Sequence, residues 1–111
     1  MTDTTCRIFF GDGERVFRLT PALLLELESK RGAIAQVSYR IWNHQFAHAD
    51  IGEVLRLGLI GGGLSPKRTA ELTAAYAADR PLSETQPIAA KVLERLFCDN
   101  PDEAKGQHDA N

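Results

Sequence analysis

A turn dipeptide, Asp12-Gly13, stands between two apolar arms, CRIFF and RVFRL, and the second arm runs directly into a helix start, Thr20-Pro21. Asp-Gly suits a tight hairpin turn whose central residues need positive φ, so residues 6–19 are expected to form two antiparallel strands. With the loop at Asp12-Gly13, or spread over Gly11 to Glu14, Phe10 faces Arg15, Phe9 faces Val16, Ile8 faces Phe17 and Cys6 faces Leu19. Opposite residues share a face. One face then collects Cys6, Ile8, Phe10, Phe17 and Leu19, and the other carries Arg7, Phe9, Val16 and Arg18. An isolated pair of strands is marginal in water, so the apolar face must rest on the rest of the chain.

The remainder of the chain reads as helix. Thr20 is the expected N-cap and Pro21 the first helical residue of a helix over about 21–31, with Leu23, Leu24 and Leu27 inward, Glu26 and Glu28 outward, and Lys30-Arg31-Gly32 closing it. A second helix over about 33–46 places Ile34, Val37 and Ile41 on one line and Ala35, Tyr39, Trp42 and Phe46 on a neighbouring one. Together these span an apolar arc of roughly 200°, twice what a surface helix needs to cover one core. Either the helix is sandwiched on two sides within the fold, or the Tyr39, Trp42 and Phe46 stripe is offered to a partner.

Asp50 and Glu53 have the spacing of a capping box for a helix over about 51–60, with Ile51, Val54, Leu55 and Leu59 inward. It runs into Gly61-Gly62-Gly63. A phosphate loop would follow a strand and place lysine directly after its last glycine. Here a capped helix precedes the glycines, and Leu64-Ser65-Pro66 intervene before Lys67, with Ser65-Pro66 itself a helix start. The triplet is therefore read as a helix stop. An alanine-rich helix over about 66–78 and a last helix over about 86–98 complete the bundle. Ser83 or Thr85 is the expected cap of the last helix, and Ile88, Ala89, Val92, Leu93, Leu96 and Phe97 its core face. Residues 99–111 carry a proline break and almost no apolar side chain, and are expected to be a disordered tail. The expected fold is α+β, mainly α: an N-terminal hairpin packed on four to five short helices, forming one domain over residues 1–98.

Composition narrows the functional classes. The 111 residues carry 13 Lys+Arg against 15 Asp+Glu, a net charge of −2, without the basic excess that phosphate-backbone binding requires. No basic start with an apolar run opens the chain, and no window approaches the ~18 apolar residues of a membrane span, so a cytoplasmic protein is expected. Cys6 and Cys98 lack CxxC spacing and read as small hydrophobes. His44 and His48, four apart, could share a helical face with Asp50 as a third zinc ligand, but the helix must end before the Asp50 cap, so no metal or other cofactor is assigned. No nucleophile motif or facing carboxylates mark an acid–base site, and an enzyme is not expected. The helix, glycine turn and helix from Asp50 to Ala78 could form a helix-turn-helix with Lys67 and Arg68 touching DNA, though two cations are few for that role.

The ordered set of a short hairpin, FRLTPALLLELES, a helix ending in LRLGLIGGG and a final IAAKVLERLF resembles the small tail proteins of alphaproteobacterial gene transfer agents and their prophage relatives, over about Arg7 to Phe97. Arg18-Leu19-Thr20, Leu24 to Glu28 and Gly61 to Gly63 carry the resemblance. It implies a tail assembly chaperone that binds apolar segments of the tape-measure protein while tail tube subunits polymerise, with no catalytic residue or cofactor; the exposed apolar surface such a role requires is expected to come in part from the Tyr39, Trp42 and Phe46 stripe. A structural tail tube component, self-associating as a homo-oligomer, is the alternative. A small DNA-binding protein is the second.

Overall fold

The structure, a computed structural model, describes residues 4–97. Strands β1 (Cys6–Phe10) and β2 (Gly13–Phe17) form an antiparallel hairpin. Five helices come after it: α1 (Pro21–Arg31), α2 (Ile34–Trp42), α3 (His48–Gly61), α4 (Pro66–Tyr76) and α5 (Leu82–Phe97). The architecture is α+β and mainly α. No helix among the described residues is long and apolar enough to cross a membrane, and the expected tail over 99–111 lies outside them.

The hairpin turns one step earlier than Asp12-Gly13 would have it. The loop is Gly11-Asp12, and the register pairs Cys6 with Phe17, Arg7 with Val16, Ile8 with Arg15, Phe9 with Glu14 and Phe10 with Gly13. Gly11 takes φ 73°, where glycine at the first loop position belongs, and a Cβ on it would strike the Tyr76 ring at 2.6 Å. Asp12 is fixed by the guanidinium of Arg15 at 2.7 Å. The register is displaced by two residues from the expected one, and an even displacement leaves the faces unchanged. Phe10 and Phe17 are accordingly buried, with their rings edge to face at 5.9 Å, and Phe9 points outward.

β2 ends at Phe17 because the chain then docks on α3. The Arg18 N–H donates to the Gly58 carbonyl at 2.9 Å, and Leu19 still reaches the core. Gly58, Gly61 and Gly62, spaced i, i+3 and i+4, form the bare side of α3 on which this backbone lies. A Cβ on Gly61 would collide with the Arg18 carbonyl, and one on Gly62 with the Val16 carbonyl. Gly63 alone acts as the helix stop. At φ 110° it is the left-handed residue of a Schellman turn, with Gly63 N–H on the Ile60 carbonyl and Leu64 N–H on the Leu59 carbonyl, each at 3.0 Å. The triplet is thus both a terminator and a packing surface.

Helix boundaries depart from expectation where a side chain or turn intervenes. α1 begins as read, with the Thr20 hydroxyl accepting from Leu23 N–H, although only Leu27 of its stripe is fully buried and Leu25 faces solvent. α2 stops at Trp42 rather than Phe46. His44 takes φ 57° and closes a second Schellman turn, with its N–H on Ile41 and the Gln45 N–H on Arg40. α3 opens at His48, three residues before its expected start, and Asp50 serves as its third residue rather than as the cap: its carboxylate accepts from the Ala47 N–H at 2.8 Å. α4 starts on the Ser65 hydroxyl, as its Ser-Pro signal dictates, and stops at Tyr76 rather than continuing to residue 78. α5 begins a turn before Pro87, at Leu82, so neither Ser83 nor Thr85 is its cap. The first turn is held by Arg80 on Glu84 at 2.9 Å, and Pro87 lies inside the helix. The core lies where α3 crosses α1, α4, α5 and the inner face of the hairpin, centred on Phe17, Leu27, Leu55, Leu59 and Leu93.

Candidate functional site

The C-terminal ends of α2 and α5 meet at one corner of the bundle, and the aromatic side chains gather there. Tyr39 and Trp42, three apart on α2, lie on one side of the helix and are 57% and 39% exposed. Trp42 is seated by its edge. The indole N–H donates to the Ala90 carbonyl of α5 at 3.1 Å, and the ring meets Phe97 edge to face at 5.2 Å. Phe97, 51% exposed, adds a third aromatic face. Below this, buried Gln86 donates its amide to the Ile41 carbonyl at 2.8 Å, fastening α5 to the end of α2. The corner is thus a rigid platform with an open aromatic top.

Phe46 does not join it. Because α2 stops at Trp42, Phe46 falls in the connecting segment and is half-buried against the core. Phe97 takes its place beside Trp42. Helical periodicity puts Phe97 on the core face of α5, one turn beyond Leu93. The last turn of α5 instead carries it past the core to the surface, and no local signal distinguishes that position from its predecessors.

Behind the platform, Asp50 joins three helices. Its carboxylate is fully buried and accepts from Arg31 Nε at 2.8 Å, from Arg40 Nε at 3.0 Å and Nη2 at 2.9 Å, and from the Ala47 N–H. Arg40 also donates to the Arg31 carbonyl at 3.0 Å, closing the end of α1. Burial pushes the Asp50 pKa up, but the hydrogen bonds from Arg40, Ala47 and Arg31 outweigh it and hold the carboxyl well below the usual carboxylate range. A second set ties α1 to α3. Arg56 bridges Glu53 at 2.9 Å and Glu26 at 3.2 Å, and Lys30 reaches Glu53 at 3.2 Å. The Arg56 hydrogen bond, against the cost of burial, lowers the Glu53 pKa.

The remaining residues singled out by the sequence are dispersed. His44 ends α2 and His48 begins α3, so they share no helical face, and the Asp50 oxygens are occupied by guanidinium and amide donors. Among the described residues no cluster of three His, Cys, Asp or Glu side chains could hold a metal ion. Lys67 and Arg68 stand exposed at the start of α4, with Arg68 beside Glu71 at 3.4 Å. Cys6 is half-buried and its thiol pKa is raised by that burial. Cys98 lies outside the described residues.

Several grooves accompany these features, among them one of about 230 Å³ along β2 beside Glu14, Arg15 and Val16. One of about 300 Å³ runs between α3 and α4, floored by Ile51, Gly52, Ala70, Ala74 and Ala77. Another of about 230 Å³ lies between β1 and the start of α5.

No curated protein and no solved structure matches the chain. A family model does, over residues 3–99, and its description is phage tail tube protein, GTA-gp10. A hairpin docked on a glycine-faced helix, with an aromatic corner where α2 meets α5, is the form that this family takes here: the chain belongs to the phage tail tube protein, GTA-gp10 family.

Proposed function

We propose that this protein is a tail assembly chaperone of a phage-type particle, such as a gene transfer agent, and that it holds apolar segments of the tape-measure protein in the cytoplasm while the tail tube forms. In this reading it is not an enzyme and takes no cofactor. The observation that carries the proposal is the exposed aromatic platform of Tyr39, Trp42 and Phe97. Aromatic rings give large contact area for little lost side-chain entropy, and Trp42 is held in place by its hydrogen bond to the Ala90 carbonyl and its contact with Phe97 before any partner arrives. Phe46, half-buried against the core, lies off this platform.

Co-purification with the tape-measure protein tests this. The double change Tyr39→Ser and Phe97→Ser removes two exposed rings, so the unfolding midpoint should move little while the partner is lost. A partner that stays bound to the double variant overturns the platform as the binding site. The family description favours a second reading, a structural component of the tail tube. Light scattering on the purified protein separates the two: a monomer or small oligomer accords with the chaperone, and rings or tubes with the structural role.

A further inference from the structure

The hairpin has two edges, and they are finished differently. The β2 side is partly covered by α3: one residue past the strand the Arg18 N–H donates to the Gly58 carbonyl, and Gly61 and Gly62 lie close to the Arg18 and Val16 carbonyls, while a groove of about 230 Å³ stays open beside Glu14 and Arg15. On the β1 side, no backbone hydrogen bond other than those to β2 involves Cys6–Phe10 among the described residues. In a two-residue hairpin the pair flanking the loop exchanges both hydrogen bonds and the pairs then alternate. Phe10, Ile8 and Cys6 therefore aim their N–H and C=O groups at β2, and Arg7 and Phe9 turn theirs outward. An edge of this kind is a template for another strand.

Three further observations converge on that edge. The groove of about 230 Å³ between β1 and α5 touches side chains from both faces of the strand, Phe9 and Phe10, and is closed by Tyr76, Thr85 and Ile88. Phe9 is 69% exposed. Finally, Arg15, Arg31, Arg40, Arg56, Arg68 and Arg80 each have a carboxylate partner within the chain. Arg7 and Arg18, which share the outer hairpin face, have none among the described residues.

We propose that an extended segment of a partner polypeptide adds as a third strand to the β1 edge at Arg7 and Phe9, setting an apolar side chain into the groove by Phe10, Tyr76 and Ile88 and a carboxylate against Arg7. The main chain supplies affinity and the alternating side chains supply selectivity, as in other strand additions. The inference rests on the reading that the protein binds other tail proteins, but it assigns a different surface from the aromatic platform and a different, extended form of the bound segment.

The probes are immobilised overlapping 15-residue peptides covering the tape-measure protein and the other tail proteins encoded beside this chain. Acidic-apolar peptides are expected to bind the wild-type protein. Phe9→Pro removes the outward N–H while leaving the ladder to β2 intact, and should weaken binding at least tenfold. Phe9→Ala, which keeps that N–H, should retain most of it, and Arg7→Glu should select against the acidic peptides. Circular dichroism confirms that each variant is folded. Should Phe9→Pro not fold, amide exchange on the wild type decides: the Arg7 and Phe9 amides should exchange fast in the free protein and become protected on binding. Binding insensitive to Phe9→Pro, amides of Arg7 and Phe9 that stay unprotected, or an intact partner that co-purifies although none of its peptides binds, each overturns the strand addition. Peptides that bind at β1 but come only from proteins other than the tape-measure protein would leave the strand addition standing and overturn the tape-measure reading.

Discussion

Neutralising Asp50 would leave Arg31 and Arg40 converging on a site with no counter-charge. Removal of one partner from a buried ion pair is strongly destabilising, so Asp50→Asn should cost about 3 kcal/mol, read as a shift in the urea midpoint. The glycines of α3 divide in the same residue-by-residue way. A Cβ on Gly52 meets nothing within 4 Å, whereas one on Gly62 meets the Val16 carbonyl. Gly52→Ala should therefore stabilise by about 0.5–1 kcal/mol through helix propensity alone. Gly62→Ala should destabilise by about 2 kcal/mol or more, because a backbone cannot step aside as a side chain can. Equal effects at the two positions would refute the packing role of the triplet. A single sequence displays Gly61-Gly62-Gly63 as three equivalent residues. Their separation into two that admit a strand and one that reverses the chain exists only once β2 is laid across α3.

The ends of the elements show what local chemistry can and cannot specify. Thr20-Pro21 and Ser65-Pro66 start α1 and α4 where they stand, since a hydroxyl cap and a proline at the first helical position act within one turn. The end of α2 is different. The apolar period runs on to Phe46, yet the helix ends four residues earlier at Trp42 and is closed by His44 in a left-handed conformation that favours glycine. Strain of this size is relieved by glycine, so His44→Gly should stabilise the protein by about 0.5–1 kcal/mol in chemical denaturation without moving the Tyr39 and Trp42 surface. Loss of stability instead would mean that the imidazole makes contacts worth more than the strain. The early stop also decides the candidate site: it withdraws Phe46 towards the core and leaves Trp42 as the last helical residue, free to lie across α5 and meet Phe97.

For the molecule as a whole, acid stability follows from the two carboxylate clusters that tie α1, α2 and α3 together. Asp50 and Glu53 both have native pKa values below their ordinary ones. As pH falls, the unfolded chain binds protons first, so their contribution is complete above the unfolded values of about 3.9 and 4.3 and drains away as pH drops towards the native ones. Urea unfolding should thus give a flat stability above about pH 5 and a decline below about pH 4. In Asp50→Asn most of that decline should be missing. A decline of unchanged size in the variant would assign the acid sensitivity to other groups.

Sequence alone determined the kind of fold, the face of each strand and the starts of α1 and α4, because alternation, helical period and hydroxyl-proline caps act over a few neighbouring residues. It did not determine the hairpin register or which aromatic side chains stay open. Those depended on partners distant along the chain: the Tyr76 ring against Gly11, the Arg18 N–H on Gly58, and the Ala90 carbonyl under Trp42. Contacts of that range carry no signature in local spacing, since the residues involved become neighbours only when the helices close around the core.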